Sequence, residues 1–341
     1  MNNTPIPARD VVVVGASTGG VEALRQLVAG LPSGFPAGVL IVMHIGTNST
    51  ILPSLLARTS ILPVRQAREG DLVEAGRILV APPDLHLSIR REGEAYRVVL
   101  ARTAKENHTR PAIDPLFRSA AAVVGERAIG VILTGALDDG TAGLAAIKAC
   151  GGLAVVQDPD EALAPDMPIS AIDNIEVDHV VRLAEMPPLL QRLIDARQAG
   201  AALKPRQVPD WVRIENQFAL EGVEMDNLAR LAKPSTFTCP ECHGTLWEIQ
   251  DLRPHRFRCH TGHAYTAASL VTLQDDKVED AVWSAMRALH EREMLLRTMA
   301  EEALLHKHVE LAAEYTAQAG KAHEDAEVLR RLMTHKTSGH Q

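Results

Sequence analysis

The sequence has no run of about eighteen apolar residues, the length that a membrane-crossing helix needs, so no span is expected. Its first residues, MNNTPIPARD, lack the charged-then-apolar order of a signal peptide, and the protein is therefore expected in the cytoplasm without membrane insertion. A basic excess is missing too. The chain has 35 Lys and Arg against 43 Asp and Glu, a formal charge of -8 that argues against a nucleic-acid partner. Cysteine is scarce. Four in 341 residues do not make a disulfide framework, and three of them cluster late beside histidines, which in a reducing compartment points to metal. What remains is ordinary: 46% hydrophobic and 23% charged residues suffice for a soluble core, and the length predicts about two domains at ~150 residues each.

From residue 8 to 195 short aliphatic runs alternate with amphipathic stretches. VVVV (11–14), VLIVM (39–43), ILVA (78–81), VILT (131–134) and LAVV (153–156) read as buried strands, and 21–31 and 141–151 have helical spacing with glycine stops. Such alternation predicts an α/β fold with a doubly wound parallel sheet. EAYRVVLAR (94–102) reads as a hairpin on the sheet edge. Residues 196–235, with Pro205, Pro209 and Pro234, read as a linker; 236–270 form a small zinc-ribbon-like Cys/His module. From 275 to 336 the chain is rich in Ala, Glu, Leu and Lys and reads as a helical hairpin or coiled-coil tail, with a break marked by Gly320.

Three strand ends carry chemistry. Gly15-Ala16-Ser17-Thr18-Gly19 satisfies G-x-S-x-G between a strand and a helix start, where glycines let the chain turn sharply and push the serine out. The helix N-terminus that follows, with Thr18 and Gly19, offers N–H groups to a developing oxyanion. A structural turn or a dinucleotide-binding turn competes with this reading, although G-x-G-x-x-G is absent because Ser17 stands where its second glycine belongs. A serine needs an imidazole to accept its proton and a carboxylate to orient that imidazole. His44 closes the second aliphatic strand, and Asp139 follows the VILT strand, so both reach the carboxyl edge where α/β sheets build their sites. Each alone fits a surface or turn residue. Together, in an order foreign to the α/β-hydrolases, they predict a triad.

These residues resemble the catalytic domain of the chemotaxis protein-glutamate methylesterases. The similarity runs through GASTGGVEAL, VMH, APPDLHL (81–87), RPAIDPLFRSAA (110–121), LTGALDDGTAGL, VVQDP (155–159) and MPISAI (167–172). It implies hydrolysis of glutamate γ-methyl esters on the helices of receptors or related signalling proteins, releasing methanol, and glutamine deamidation by the same route. Ser17 would be the nucleophile, His44 the general base and acid, and Asp139 the orienting carboxylate; Thr18 would help position His44 or substrate. The family's best-known members read GMGNDG where this chain has GALDDG (135–140), which puts Ala136 and the charged Asp138 at the lip of the site. Those members also carry an N-terminal receiver domain. The first strand here begins near residue 11, so control by phosphorylation in cis is not expected.

No cofactor is expected for the catalysis, but Cys239-Pro-Glu-Cys242 and Cys259-His-Thr-Gly-His263 have zinc-ligand spacing. The expected set is Cys239, Cys242, Cys259 and His263, with His260 the alternative fourth ligand and His243 and His255 bystanders. Four ligands with no open position make the zinc structural, in a module too small for its own core. Cys150 reads as a buried small residue. In the tail, helical spacing allows packing of the hairpin on itself or self-association and a partner contact, with His306, His308 and His323 facing solvent. Beside the esterase stand two other readings: a zinc-and-helix interaction protein with the α/β domain as scaffold, and, more weakly, nucleotide binding at GASTGG.

Overall fold

The computed structural model describes residues 10–46, 50–195, 207–250 and 253–336. The chain divides into two compact units, 1–270 and 271–341.

In the first unit the elements run β1 (Val11–Ala16), α1 (Gly20–Ala29), β2 (Gly38–Met43), α2 (Leu52–Ala57), β3 (Val64–Gln66), β4 (Ile78–Val80), β5 (His86–Glu92), β6 (Ala95–Ala101) and α3 (Ile113–Val124). They continue with β7 (Ala128–Ile132), α4 (Thr141–Ala149), β8 (Leu153–Gln157), α5 (Asp166–Asn174), β9 (His179–Val181) and α6 (Met186–Asp195). Seven strands form one sheet in the order β3-β4-β2-β1-β7-β8-β9, every pairing parallel. Helices cover both faces, so strands such as β1 bury every side chain. Val11 and Val13 face the core built with Leu116 and Phe117 of α3, while Val12 and Val14 face Leu24 and Leu27 of α1. From β1 the chain first winds outward through β2 and later returns to start β7 on the other side. The strand order therefore reverses between β1 and β7, the crevice where such sheets place their sites.

Several expectations shift. The strand drawn at VILT begins at Ala128 and ends at Ile132, which leaves Leu133 and Thr134 to cross the sheet edge. The hairpin β5–β6 is a separate two-stranded sheet that packs on α3, with Leu87, Ile89 and Val98 in the core; its alternation fits one buried face, not an edge of the main sheet. Cys150 is buried in that core.

Of the stretch read as a linker, 196–206 lies outside the described residues, but the rest is built. It holds α7 (Asp210–Glu221) and α8 (Met225–Leu231), which bury Val212, Ile214, Phe218 and Leu228. The prolines that suggested a connector mark boundaries: Pro209 caps α7, and Pro234 sits in an edge strand that tolerates a missing N–H. That strand, β10 (Ala232–Thr238), opens an antiparallel four-stranded sheet with β11 (Thr245–Ile249), β12 (Arg256–Cys259) and β13 (Ala264–Thr266). The Cys/His module so starts a few residues earlier than its ligand pattern suggested. Glu215 of α7 pairs with Arg256 of β12 at 2.6 Å, and Arg256 and Arg258 lie over the rings of Trp211 and Phe218.

Two long helices carry the chain onward, α9 (Ala267–Leu305) and α10 (Val309–Lys336). Gly320 lies inside α10. The break comes instead at Lys307, in the left-handed region at φ 62°, with His308 N–H bonded to Ala303 O and Lys307 N–H to Leu304 O. This is the Schellman stop of a helix, made here without glycine. Within the second unit Met286, Leu296, Ala300 and Ala303 are buried, as are Ala312, Ala319, Ala322 and Ala326, while Met294, Leu295, Leu304 and Leu311 are exposed. The seam has heptad spacing, and alanine fills most of one side. His306, His308 and His323 are exposed, the last bonded to Glu293 at 3.0 Å.

Candidate active site

Ser17 stands one residue beyond β1 and three before α1. Its backbone N–H donates to Thr134 O at 3.0 Å, which ties the turn to the chain leaving β7. Gly15 and Ala16 remain in the strand, so the bend is made after the serine, at Gly19 with φ 79°. A glycine outside the motif also matters. A Cβ on Gly135 would lie 2.9 Å from the Cβ of Ser17 and collide with Met167, so only glycine lets β7 exit this close to the serine.

His44, just past β2, is half-buried, and its N–H reaches back to Ala16 O. Its Nδ1 lies 3.0 Å from Ser17 Oγ and its Nε2 2.7 Å from Asp139 Oδ2. With Asp139 ionised, Nε2–H donates to the carboxylate and leaves the Nδ1 lone pair to accept the serine proton. A second hydroxyl beside the ring, that of Thr109, is 3.4 Å from Nε2. Thr18 is exposed, and its carbonyl accepts from Thr134 Oγ1.

Asp139 is 2% exposed and densely held. Besides His44 it accepts from Ile113 N–H at 2.6 Å, Asn107 Nδ2 at 2.9 Å and Gly140 N–H at 2.9 Å. Burial pushes its pKa up, but the bonds from His44, Ile113 and Asn107 outweigh that and hold it below the usual carboxylate range. Ile113 begins α3, so the helix N-terminus adds its dipole to the same effect. Asp114, buried beside Asp139, is shifted the opposite way by desolvation and by the neighbouring charge. Asp114, pushed up to about 7, is the member of the pair that takes a proton first as pH falls, while Asp139 keeps the charge.

Three strand ends thus bring serine, histidine and aspartate into one hydrogen-bonded chain at the reversal of strand order. Residues 12–190, slightly over half the chain, match the CheB methylesterase family. The chain belongs to that family. Among its relatives, a protein-glutamate methylesterase/protein-glutamine glutaminase of Pyrococcus abyssi is 36% identical over 199 residues, covering 58% of this chain and 54% of the relative. One from Anaeromyxobacter dehalogenans is 43% identical over 184 residues, 54% of this chain and 51% of the relative. A putative member from Leptospira interrogans is 39% identical over 185 residues and is covered to 94%. The crystal structure of the Thermotoga maritima CheB methylesterase catalytic domain superposes with a TM-score of 0.54 at 33% identity, covering 55% of this chain and 99% of that one. The chain spans about half the length of the first two relatives.

Beyond the region matched by the CheB methylesterase family lies the Cys/His cluster. The ligand atoms of Cys239, Cys242, Cys259 and His263 all lie within 4.8 Å of one another, close enough to hold a metal ion. Cys242 Sγ to Cys259 Sγ is 3.6 Å, and His263 Nδ1 is 3.7 and 3.6 Å from Cys239 and Cys259 Sγ. The other ring nitrogen of His263 faces Glu241 at 3.4 Å, the outer-shell carboxylate that metal-bound histidines favour. His260 packs against Gly244 with its ring exposed, outside the cluster, and His243 and His255 are exposed.

Sequence reasoning passed over Asn107, Thr134 and Thr266. Thr134 links Thr18 and Ala164 through its hydroxyl. Asp138, expected as added charge at the lip, is only 5% exposed and turns to the hydroxyl of Thr266 at 2.8 Å, whereas Ala136 and Leu137 are exposed there. Burial pushes the Asp138 carboxyl up to about 6. Asn107 precedes a matched motif, but its partners lie too far along the chain for any local pattern to reveal.

Proposed function

We propose that the protein is a protein-glutamate methylesterase, hydrolysing γ-methyl esters of glutamate side chains on the helices of receptor-type signalling proteins, with glutamine deamidation as the companion reaction. The observation that carries this reading is the chain Ser17–His44–Asp139, with links of 3.0 and 2.7 Å. Ser17 Oγ attacks the γ-carbonyl carbon while Nδ1 of His44 takes its proton, and Asp139 stabilises the imidazolium. The tetrahedral intermediate collapses as His44 returns the proton to the departing methanol, or to ammonia from glutamine. Water, deprotonated by His44, then releases glutamate from the acyl-enzyme.

Thr18, Gly19 and Ala136 line the oxyanion side. The N–H groups of Ser17 and Gly135 are already committed to Thr134 and Ala164 carbonyls, whereas those of Thr18, Gly19 and Ala136 have no acceptor among the described residues. Exposed Leu137 and Leu163 flank this opening and suit an apolar strip of a substrate helix. The hydrogen-bonded arrangement of Ser17, His44 and Asp139 favours the esterase over the scaffold-only reading.

The metal is zinc, held by Cys239, Cys242, Cys259 and His263 in a structural role. For a tetrahedral ion with Zn–S of about 2.3 Å, ligand atoms sit roughly 3.5–3.8 Å apart, and the 3.6–3.7 Å separations fit.

The test of the activity is methanol release from methylated receptor membranes, comparing the full chain with Ser17→Ala. Loss to background supports the assignment. A Ser17→Ala protein that keeps the wild-type rate overturns it.

A further inference from the structure

We propose that the turn from β13 into α9, Thr266 to Ser269, is a positioning element of the active site that fixes the Asp139 carboxylate through Asn107. This inference rests on the esterase reading of Ser17, His44 and Asp139. It makes the C-terminal module part of the catalytic assembly, although the family match ends at residue 190.

Asn107 is the junction. Its Nδ2 donates to Asp139 Oδ1 at 2.9 Å and to Asp114 Oδ2 at 3.1 Å. Its Oδ1 accepts from Thr266 N–H at 3.1 Å and from Ser269 Oγ at 3.3 Å. One orientation of the amide fits, since a flip would face its oxygen to the Asp139 carboxylate and its NH2 to the N–H of Thr266. Thr266 adds a second grip, its hydroxyl donating to Asp138 beside the triad carboxylate. Asn107, Thr266, Ser269 and Asp139 are all buried, so water offers no ready replacement for these bonds.

The loop that carries Asn107 depends on the same module. Asn107 and His108 both have left-handed backbones, with φ of 47° and 64°, as the two central residues of a tight turn that Glu106 and Thr109 close through N–H···O bonds of 3.3 and 2.9 Å. The module anchors that turn from outside. Asn107 N–H donates to Ala264 O at 2.8 Å, Ala264 N–H donates to Lys105 O at 3.3 Å, and His108 Nδ1 meets Glu241 at 2.9 Å. Glu106 takes two bonds from Arg118 on α3 and a further pair from Arg258 on β12. Together with the bonds from Arg118, these contacts hold the turn with Asn107 beneath Asp139. A carboxylate free to rotate would orient His44 less well.

The experiment uses the full chain with Asn107→Ala, Thr266→Val, Thr266→Ser and, as control, Ser17→Ala. Ester hydrolysis supplies kcat and KM, a fluorophosphonate reports Ser17 nucleophilicity, and melting checks the fold. The proposal expects Asn107→Ala and Thr266→Val to lose kcat by about ten- to a hundredfold with little change in KM, because misplacement near the reacting groups acts on the rate. Fluorophosphonate labelling should slow in parallel, and Thr266→Ser, which restores the hydroxyl, should recover most of the rate. Should Asn107→Ala not fold, Ser269→Ala, which removes the hydroxyl that donates to Asn107 Oδ1, decides together with the Thr266 pair. Wild-type kcat and labelling in folded Thr266→Val and Asn107→Ala overturn the positioning role. Retained turnover in Ser17→Ala would overturn the esterase reading instead, so the two failures are distinct.

Discussion

The hydroxyl of Thr266 donates to the carboxylate of Asp138 at 2.8 Å, across 128 residues of sequence and next to the aspartate that bonds His44. Asp138 therefore serves as an attachment point for the C-terminal module, and its burial there raises its carboxyl despite the opposing bond from Thr266.

Asp138→Asn should stabilise the protein above pH 6 and leave it unchanged near pH 4. Burial raises the native carboxyl from 3.8 to about 6, so between these values the native state holds a proton that the unfolded chain has lost. The stability associated with that proton is complete below 3.8 and is lost as pH rises through 6. An amide cannot ionise and still accepts from Thr266, giving an advantage on the order of 2–3 kcal/mol at pH 8. Urea melts at pH 4 and 8 measure it. Superimposable curves at both would show that Asp138 carries no buried titration.

Glu106 behaves in the opposite sense. Desolvation alone would raise it, but Arg118 and Arg258 hold it down to about 2, so its contribution is complete above the ordinary value of 4.5 and disappears as pH falls toward 2. Glu106→Gln should cost about 3–5 kcal/mol at pH 7 by leaving two buried guanidinium groups short of a counter-charge. The gap from wild type should close below pH 3 in thermal melts. A constant gap at all pH values would argue for a packing effect.

Metal content separates the two candidate histidines. Full-length protein should carry one zinc ion per chain by elemental analysis, His260→Ala should keep it, and His263→Ala should lose most of it. Chelation under reducing conditions should lower the melting temperature, since metal binding contributes folding energy to a sheet this small. Equal zinc in both variants would remove His263 from the ligand set.

Gly135→Ala tests the close approach of β7 to the nucleophile. The added methyl meets the side chain of Met167, which can move, and Ser17 Cβ, which cannot move without displacing Oγ from His44. The expected loss in kcat is up to about a hundredfold. Adding Met167→Ala should not restore it, and a full rescue by that second change would place the obstruction at Met167 alone.

The central sheet was readable because parallel strands buried on both faces appear as unbroken aliphatic runs, as in VVVV and VLIVM. The meeting of Ser17, His44 and Asp139 was readable because each lies within a few residues of the end of such a run, Asp139 seven residues past Ile132. The edge strands β3 and β9 have three residues each and no apolar run to mark them. α7 was hidden by flanking prolines, although Val212 and Phe218 face the interior. Asn107 stayed invisible for a different reason: its bond to Thr266 N–H spans 159 residues, and neither partner belongs to a periodic pattern. In the tail, Gly320 looked like a break, but a single glycine costs a long helix only about 1 kcal/mol, and the helix stops instead at Lys307.

The left-handed pair Asn107–His108 also bears on how the protein is made. When the ribosome has released residues 1–200, all seven strands and all three triad residues exist, yet the segment that clasps the loop is still to be synthesised. Contacts this distant in sequence form late. On the positioning proposal, a nascent or truncated chain would hold a finished sheet and a serine of reduced reactivity, and the full rate would arrive only when residues 264–269 have emerged and docked.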